Sequence, residues 1–286
     1  MCKRPLPLSL LSLLSIPLFA AERPVDPTFL KTSLSKAAVA QDDLTAPGSE
    51  FRPLFTKGGI VRGVARFGEA SLAPGSASPV VQYPREEQIY YVTAGSGEVV
   101  YAGKKHPIRA DDFLYLAPTI AHGLVNTGDA PLKVLVMGYP IPASTPIRIP
   151  DALPIANASE VKKQVVGNHP PSTLYQLLIG DQSSTRDRIA AAHVVTSLFL
   201  MEFAPGGTNF PHHHDREEEV YVLLEGEGQM VAGGGASGVE GRHPAKAGDA
   251  YFYRLNATVG FYNRETAGVP KARILAIRSL YPFARR

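Results

Sequence analysis

The residues with the clearest chemical potential lie in one histidine- and glutamate-rich block, residues 206–228. His212 and His214 are two positions apart, so on a β-strand their side chains would share one face while His213 points to the other. Glu219 begins the next predicted strand after a short turn. Two imidazoles and one carboxylate on adjacent strands can share a divalent ion, and they suit iron, manganese, zinc, nickel or copper better than calcium. The block therefore predicts one transition-metal site.

A solvated histidine cluster on a β-turn is the alternative interpretation of this block, because an aspartate and three glutamates surround the histidines. Within the metal interpretation, Glu218 would replace Glu219 as the ligand if the strand register were shifted by one residue. Glu217 is expected to be a solvated charge of the turn, and His213 is expected to point outward without binding metal.

The segments that must position this block occur twice in the chain. Residues 89–92 correspond to residues 220–223 at an offset of 131 positions, and residues 123–126 correspond to residues 260–263 at an offset of 137. The second copy therefore has six extra residues between the two matches, and the glycine-rich stretch 233–241 is the expected place for them. A repeat in which spacing, turns and apolar runs agree predicts two copies of one β unit.

Composition supports an all-β fold. The chain has 26 glycines and 25 prolines among 286 residues, and short apolar runs alternate with these turn residues, which is typical of sandwiches and barrels. Asp26 and Pro27 match the start of a helix, so a short N-terminal helix is expected to reach about Val39. The expected organisation is a signal peptide (1–20), an N-terminal leader segment (21–57), a first β domain (58–138), a linker (139–171) and a second β domain (172–286).

The N-terminus predicts export. Lys3 and Arg4 precede an apolar run, residues 8–19, that ends at Ala20 and Ala21, the pattern of a secretory signal peptide. The run is shorter than the roughly 20 apolar residues that a transmembrane helix needs. A secreted or periplasmic location is therefore expected, with no stable membrane span after signal removal. The single cysteine of the chain lies in this segment, so neither cysteine catalysis nor a zinc site with cysteine ligands is expected in the mature protein.

Five residues of the block satisfy the spacing of the first cupin motif: Gly206, His212, His214, Glu219 and Gly226. The chain thus resembles the cupin superfamily, and with two copies it resembles a bicupin. The resemblance covers roughly residues 58–138 and 172–282. It implies two double-stranded β-helix (jelly-roll) barrels in one chain, with the metal bound inside the mouth of the second.

The second motif of that superfamily normally adds a histidine as the fourth ligand, and here this chain departs from the pattern. Asn263 of the motif is present, but Val259 stands at the histidine position. The resemblance therefore implies three protein ligands in the second barrel, with His193 on a neighbouring strand as a candidate replacement for the fourth. Three ligands leave open positions, as in sites that hold iron(II) with substrate and oxygen or zinc with water.

The first copy has lost the other half of the site. Val81, Tyr83 and Gln88 stand at the first-motif ligand positions, whereas His122 and Asn126 of the second motif remain. One imidazole alone seldom holds a metal, so the first barrel is expected to be free of metal. The candidate substrate pocket comprises Tyr221, Val259, Phe261 and His122, and plain core packing is the alternative interpretation for each of them.

The signal-peptide pattern and the resemblance together imply an exported bicupin with one divalent transition metal that acts on a small organic molecule. Members of the superfamily include dioxygenases, decarboxylases, isomerases and aminohydrolases. The open positions favour a dioxygenase-type oxidoreductase. The alternative is a non-catalytic barrel that binds a sugar or a carboxylate, and a storage role ranks third. The formal net charge of +3 gives no reason to expect nucleic acid as a partner. The sequence does not decide whether the chain forms a homo-oligomer.

Overall fold

The computed structural model describes residues 29–234, 239–264 and 271–281. The predicted signal peptide lies outside these residues. In the described part, no helix has the length and apolar character that crossing a bilayer requires.

The N-terminal part of the chain forms ten strands and one short 3-10 helix. In chain order these are β1 Phe29–Ser33, β2 Ser49–Gly58, β3 Val61–Leu72, β4 Glu86–Ala94, β5 Ser96–Tyr101, β6 Lys104–Arg109, β7 Asp112–Leu116, β8 His122–Val125, β9 Leu132–Pro140, β10 Ile155–Asn157 and the 3-10 helix Ala158–Glu160.

The described C-terminal part has nine strands, and the last seven repeat the order of β3 to β9. Its elements are β11 Thr173–Asp181, β12 Ile189–Ala192, β13 Val195–Phe203, β14 Glu217–Glu225, β15 Glu227–Gly234, β16 Val239–Lys246, β17 Asp249–Tyr253, β18 Thr258–Asn263 and β19 Ala272–Leu280.

The strands build two barrels, each made of one large sheet and one three-stranded sheet. The first combines the six-stranded sheet β10-β7-β4-β9-β3-β2 with β6-β5-β8, and the second combines the seven-stranded sheet β1-β17-β14-β19-β13-β11-β12 with β16-β15-β18. The all-β fold of two jelly-roll barrels that the sequence predicts is confirmed.

Three apolar clusters account for this arrangement. One fills each barrel, and the third lies between the two large sheets. Neighbouring residues of a strand serve different clusters: Tyr90 points into the first barrel and Tyr91 into the contact between the sheets. Because both faces of the large sheets are buried, strands such as β7 and β17 are buried at every residue. Their near-continuous apolar sequences follow from this burial.

The predicted N-terminal helix is wrong. Residues Phe29–Ser33 form a strand that pairs antiparallel with β17, with Phe29 opposite Tyr253 and Ser33 opposite Asp249. The Phe29 ring also packs against His243 at a centroid distance of 5.2 Å. Asp26 and Pro27 lie outside the described residues. Strand pairing and side-chain packing thus override the local helix-start signal, as tertiary context commonly does.

Strands from the leader and linker segments join the first barrel. β2 lies mostly within segment 21–57 and pairs with β3, while β10 of segment 139–171 pairs with β7. The short helix Ala158–Glu160 follows β10 directly and is capped by Asn157, whose side chain accepts a hydrogen bond from the Ser159 N–H. β2 and β10 therefore complete the large sheet of the first barrel, whereas β1 of the leader extends the large sheet of the second.

The repeat seen in the sequence is visible in the turns. Gly95 and Gly226 precede β5 and β15 and have φ values of 80° and 82°. A Cβ at either position would approach a backbone carbonyl oxygen, to 2.5 Å from Pro131 and 2.9 Å from Lys271. Only glycine satisfies both the left-handed conformation and this close approach. The extra residues of the second copy lie in the hairpin β15–β16, where β5–β6 has a short turn at Ala102 and Gly103.

Candidate metal centre

The two histidines of the candidate site lie on an irregular loop before β14 rather than on a strand. A bridge fixes His212, whose N–H donates to the Val259 carbonyl at 3.0 Å while the Val259 N–H donates to the His212 carbonyl at 2.8 Å. The Asn256 N–H donates to the His214 carbonyl at 2.7 Å. Backbone contacts with the β17–β18 connection and β18 thus hold both histidines at the mouth of the second barrel.

The rings of His212 and His214 lie edge to face, with centroids 4.9 Å apart and planes at 86°. His212 Nδ1 donates to the Phe210 carbonyl at 2.8 Å, which leaves Nε2 with its lone pair available. Such a bond from the second ring nitrogen is how proteins orient metal-binding histidines. His213 is exposed and does not belong to the group of three donors, as the sequence predicts.

Glu219 supplies the third donor. It lies near the start of β14 and is only 2% exposed. One potential ligand atom each from His212, His214 and Glu219 lies within 4.8 Å of the others. In the described part of the chain, His214 Nε2 and both carboxylate oxygens of Glu219 are buried without a hydrogen-bond partner, although Nε2 lies 3.4 Å from Oε2. A buried carboxylate without partners is costly, and a cation between these atoms would offset that cost.

The pKa values of the three groups suit a cation. Burial alone would raise the pKa of Glu219, but His214, Arg278 and His212 lower it. Burial lowers the pKa of His212. Burial would also lower the pKa of His214, but the neighbouring Glu219 carboxylate raises it. An ionised carboxylate and imidazoles that lose their protons on binding are the forms that ligate metal. The nitrogen, nitrogen, oxygen donor set fits a divalent transition metal, so this group could hold one.

A cavity of about 130 Å³ opens beside the three donors. Its walls combine apolar and aromatic side chains with two guanidinium groups, and the lining residues are Val166, His169, Tyr175, Leu177, Arg186, Ser197, Phe199, His212, His214, Glu219, Tyr221 and Arg278. The volume suits several water molecules or a small organic molecule.

Arg278 is one of the two arginines that line this cavity. It lies directly opposite Glu219 on the neighbouring strand β19. Its guanidinium lies over the Phe199 ring at 5.6 Å, and Nη1 is 3.3 Å from Glu217 Oε2. Nε is buried without a hydrogen-bond partner among the described residues. No sequence motif indicated this residue; a lone arginine after the apolar residues 274–277 was the available signal.

His169 is a third histidine at the site, and no sequence pattern indicated a role for it. Its ring stacks on Tyr175 with a centroid distance of 5.4 Å and lies 5.3 Å from the His212 ring. Burial and the neighbouring His212 lower its pKa. No spacing signal could have found it, because it lies 43 positions before His212 in a segment without a cupin motif.

The candidate pocket residues separate into three places. Tyr221 lines the cavity and its hydroxyl accepts a hydrogen bond from Asn209 Nδ2 at 2.9 Å. Val259 and Phe261 are buried in the apolar cluster of the second barrel, where the Phe261 ring packs on Phe203 at 4.9 Å. His122 lies in the first barrel, bridged to Val81, so the structure does not bring it to the metal centre.

Two residues considered as replacement ligands lie elsewhere. Glu218 points to the contact between the barrels, where its Oε2 accepts from the Gly63 N–H at 3.0 Å. His193 lies at the same contact: Nδ1 is 2.8 Å from the Tyr115 hydroxyl, and Nε2 accepts from the Arg148 N–H at 2.9 Å. Neither belongs to the cluster of three donors.

Comparisons with known proteins agree with this fold. An uncharacterized protein of Methanocaldococcus jannaschii is 32% identical over 98 residues, which span 34% of this chain and 78% of that protein. The putative glyoxylate induced protein of Pseudomonas aeruginosa has a similar structure, with a TM-score of 0.72, 16% identity and coverage of 93% of this chain and 94% of that one.

Oxalate decarboxylases are also structurally similar. The Lactobacillus farciminis enzyme, solved as a formate complex, has a TM-score of 0.65 at 14% identity and covers 88% of this chain and 86% of its own. The Bacillus subtilis enzyme, which has Mn(II) centres, has a TM-score of 0.65 at 13% identity, with 89% and 78% coverage. The Cupin domain matches residues 68–138 and again residues 199–270, and with one match in each barrel the chain belongs to the cupin family as a bicupin.

Proposed function

We propose that this bicupin is a metal-dependent enzyme that acts on a small organic carboxylate at the mouth of its C-terminal barrel. The observation that carries the proposal is the convergence of His212, His214 and Glu219, whose ligand atoms lie within 4.8 Å of one another. Three of these buried donor atoms have no hydrogen-bond partner in the described part of the chain. A bound divalent ion there supplies a Lewis acid that polarises an oxygen of the substrate.

The substrate class follows from the cavity beside these donors. Arg278 offers a buried guanidinium Nε without a partner among the described residues, and guanidinium groups bind carboxylates with charge-assisted hydrogen bonds. Tyr175, Leu177 and Phe199 provide apolar walls, which exclude water and strengthen the interaction between opposite charges. The chain's own residues would thus hold a small carboxylate between the donor cluster and Arg278.

We take oxygen-dependent, dioxygenase-type oxidation as the reaction class, in line with the expectation from a three-ligand site. The similarity to oxalate decarboxylases supports a carboxylate substrate and makes decarboxylation the alternative outcome for the same site. The test loads metal-free protein separately with Mn(II), Fe(II) and Zn(II) and offers small mono- and dicarboxylates. Oxygen uptake and carbon dioxide release are measured together.

We expect the metal-loaded wild-type protein to turn over substrate with oxygen uptake. The His212→Ala variant should lose this turnover. Carbon dioxide release without oxygen uptake would replace oxidation by decarboxylation. Activity that persists in His212→Ala, or no turnover with any loaded metal, would contradict the enzyme proposal. His213→Ala is the matched control, because His213 is exposed and adjacent in sequence.

A non-catalytic carboxylate-binding barrel is the second candidate, favoured by Val259 at the position where the motif has its fourth ligand. If the barrel only binds its ligand, small carboxylates should raise the thermal midpoint of unfolding without any turnover. Loss of that shift in an Arg278→Met variant would assign the binding to this cavity.

A further inference from the structure

His169 lies where an additional ligand of the metal centre would come from. It lines the same cavity as His212, His214 and Glu219, although it belongs to the segment before β11, outside both matches to the Cupin domain. Its Nδ1 is buried without a hydrogen-bond partner among the described residues. A buried imidazole nitrogen without a partner needs a donor or a metal.

The His169 ring lies close to the donor group, at a separation near that of two imidazoles on a common ion. With metal–nitrogen distances of about 2.1 Å, two imidazoles on one tetrahedral or octahedral ion have ring centroids about 4.7–5.4 Å apart. The observed separations are 4.9 Å for His212 and His214 and 5.3 Å for His169 and His212. His169 is not in the set of atoms within 4.8 Å of one another, so a rotation of its side chain must complete the approach.

The backbone around His169 is already fixed in place. The His169 N–H donates to the Val166 carbonyl at 3.3 Å, and Gly167 within this turn has φ 58°. Pro170 and Pro171 follow and restrict the chain further. The turn presents the ring between Tyr175 and His212, so the required change is limited to the side chain.

We propose that His169 is the fourth protein ligand of the metal in the C-terminal barrel and takes the role of the histidine that Val259 replaces. This inference rests on the proposed metal centre and goes beyond it, because it assigns a ligand from a segment that carries no ligand motif. It also means that the site, once loaded, has three imidazoles and one carboxylate from protein, with fewer positions for exogenous ligands.

The experiment counts histidine nitrogens on Mn(II). Protein with ¹⁵N-labelled histidine is loaded with Mn(II) alone and studied by pulsed electron paramagnetic resonance. The wild type is expected to show three coupled histidines and the His169→Ala variant two, with Mn(II) affinity at least about tenfold weaker. His169→Phe keeps an aromatic ring against Tyr175 but has no lone pair, so it should also show two. His213→Ala, the control, should keep three.

The outcomes separate this inference from the metal centre itself. Bound Mn(II) with two coupled histidines in the wild type and in both His169 variants would overturn the assignment of His169 and leave the three-residue centre intact. A wild type that binds no Mn(II) would overturn both. The thermal midpoint of metal-free His169→Phe, measured alongside, should match that of the wild type, which shows that a lost coupling comes from a lost ligand and not from misfolding.

Discussion

Glu87 and Glu218 occupy equivalent positions on β4 and β14, and each carboxylate crosses the contact between the barrels to the backbone of the other half. Glu87 Oε1 accepts from the Val194 N–H at 3.0 Å, and Glu218 Oε2 accepts from the Gly63 N–H at 3.0 Å. All four residues follow the 131-residue offset of the repeat. The two halves are therefore joined by a pseudosymmetric pair of buried carboxylates in addition to their apolar faces.

The surroundings of the two carboxylates differ. Glu87 also accepts hydrogen bonds from the His193 N–H at 2.6 Å, the Val195 N–H at 2.9 Å and the Tyr115 hydroxyl at 3.1 Å. Within the described part of the chain, Glu218 Oε1 is buried without a partner. Opposite effects on stability follow for the same substitution at the two positions.

Glu87→Gln should destabilise the protein. Both carboxylate oxygens accept hydrogen bonds from backbone N–H groups. In glutamine one oxygen is replaced by an NH₂ group, which is itself a donor and would leave the N–H groups that face it without an acceptor. The expected loss is about 2–4 kcal/mol in the free energy of unfolding, on the scale of charge-assisted bonds and orphaned buried donors. Urea unfolding at neutral pH measures it; a loss below that of the exposed control Glu160→Gln would contradict the account.

Glu218→Gln should stabilise the protein at alkaline pH. Burial raises the pKa of Glu218 to about 7, against smaller opposing effects of the Gly63 N–H, Arg254 and Arg62. The folded state therefore binds this proton more tightly than the unfolded state, whose carboxyl has a pKa of about 4.3. The contribution of Glu218 to the free energy of unfolding should be greatest below about pH 4.3 and fall as pH rises towards 7, by on the order of 3 kcal/mol.

The variant should lose this pH dependence. We expect Glu218→Gln and wild type to have similar stability near pH 5 and the variant to be more stable at pH 8, in urea unfolding of metal-free protein. Glu160→Gln, on an exposed carboxylate, should keep the wild-type slope. Parallel pH profiles for Glu218→Gln and the wild type would show that Glu218 does not hold a proton in the folded state.

Arg278→Met should weaken the binding of small carboxylates without removing the metal. One charge-assisted hydrogen bond contributes about 1.5–3 kcal/mol, which corresponds to about a 10- to 100-fold increase in Kd or KM. Isothermal titration and metal analysis of the same samples measure both properties. Arg264→Met is the control, since Arg264 pairs with Glu227 on the surface. Unchanged carboxylate affinity in Arg278→Met would exclude this guanidinium from substrate binding.

Val259→His should strengthen metal binding. The bridge between Val81 and His122 in the first barrel has the same position as the bridge between His212 and Val259 in the second, so a histidine at 259 would lie as His122 does, opposite the first-motif loop. In the His169→Ala background, we expect at least about tenfold tighter Mn(II) binding in competition with a chelator. A correctly folded variant with unchanged affinity would show that this position does not face the ion.

The sequence was informative where local spacing and repetition carry the signal. The repeat and the short apolar runs predicted two β barrels, and the interval from His212 to Glu219 predicted the three donors that the structure brings together. The histidines proved to lie on a loop, yet their convergence held because the bridge to Val259 replaces the expected strand geometry.

The rest depends on tertiary contacts. Residues 29–33 follow a good helix-start signal but pair with β17, and no local property of that segment reveals its partner strand. His169 and Arg278 reach the cavity from segments far from the motif. His193 was a candidate ligand because of its strand, but its side chain lies at the contact with Glu87 and Tyr115. Contacts between segments distant in the chain decided these cases.

The central claim is that His212, His214 and Glu219 hold one metal ion, and metal content measures it most directly. Protein purified without chelators or a histidine tag should contain about one divalent transition-metal ion per chain by elemental mass spectrometry. The His212→Ala/His214→Ala double variant should contain none, whereas His213→Ala should match the wild type. Equal metal content in the wild type and the double variant, or no metal in either after exposure to Mn(II), would contradict the account.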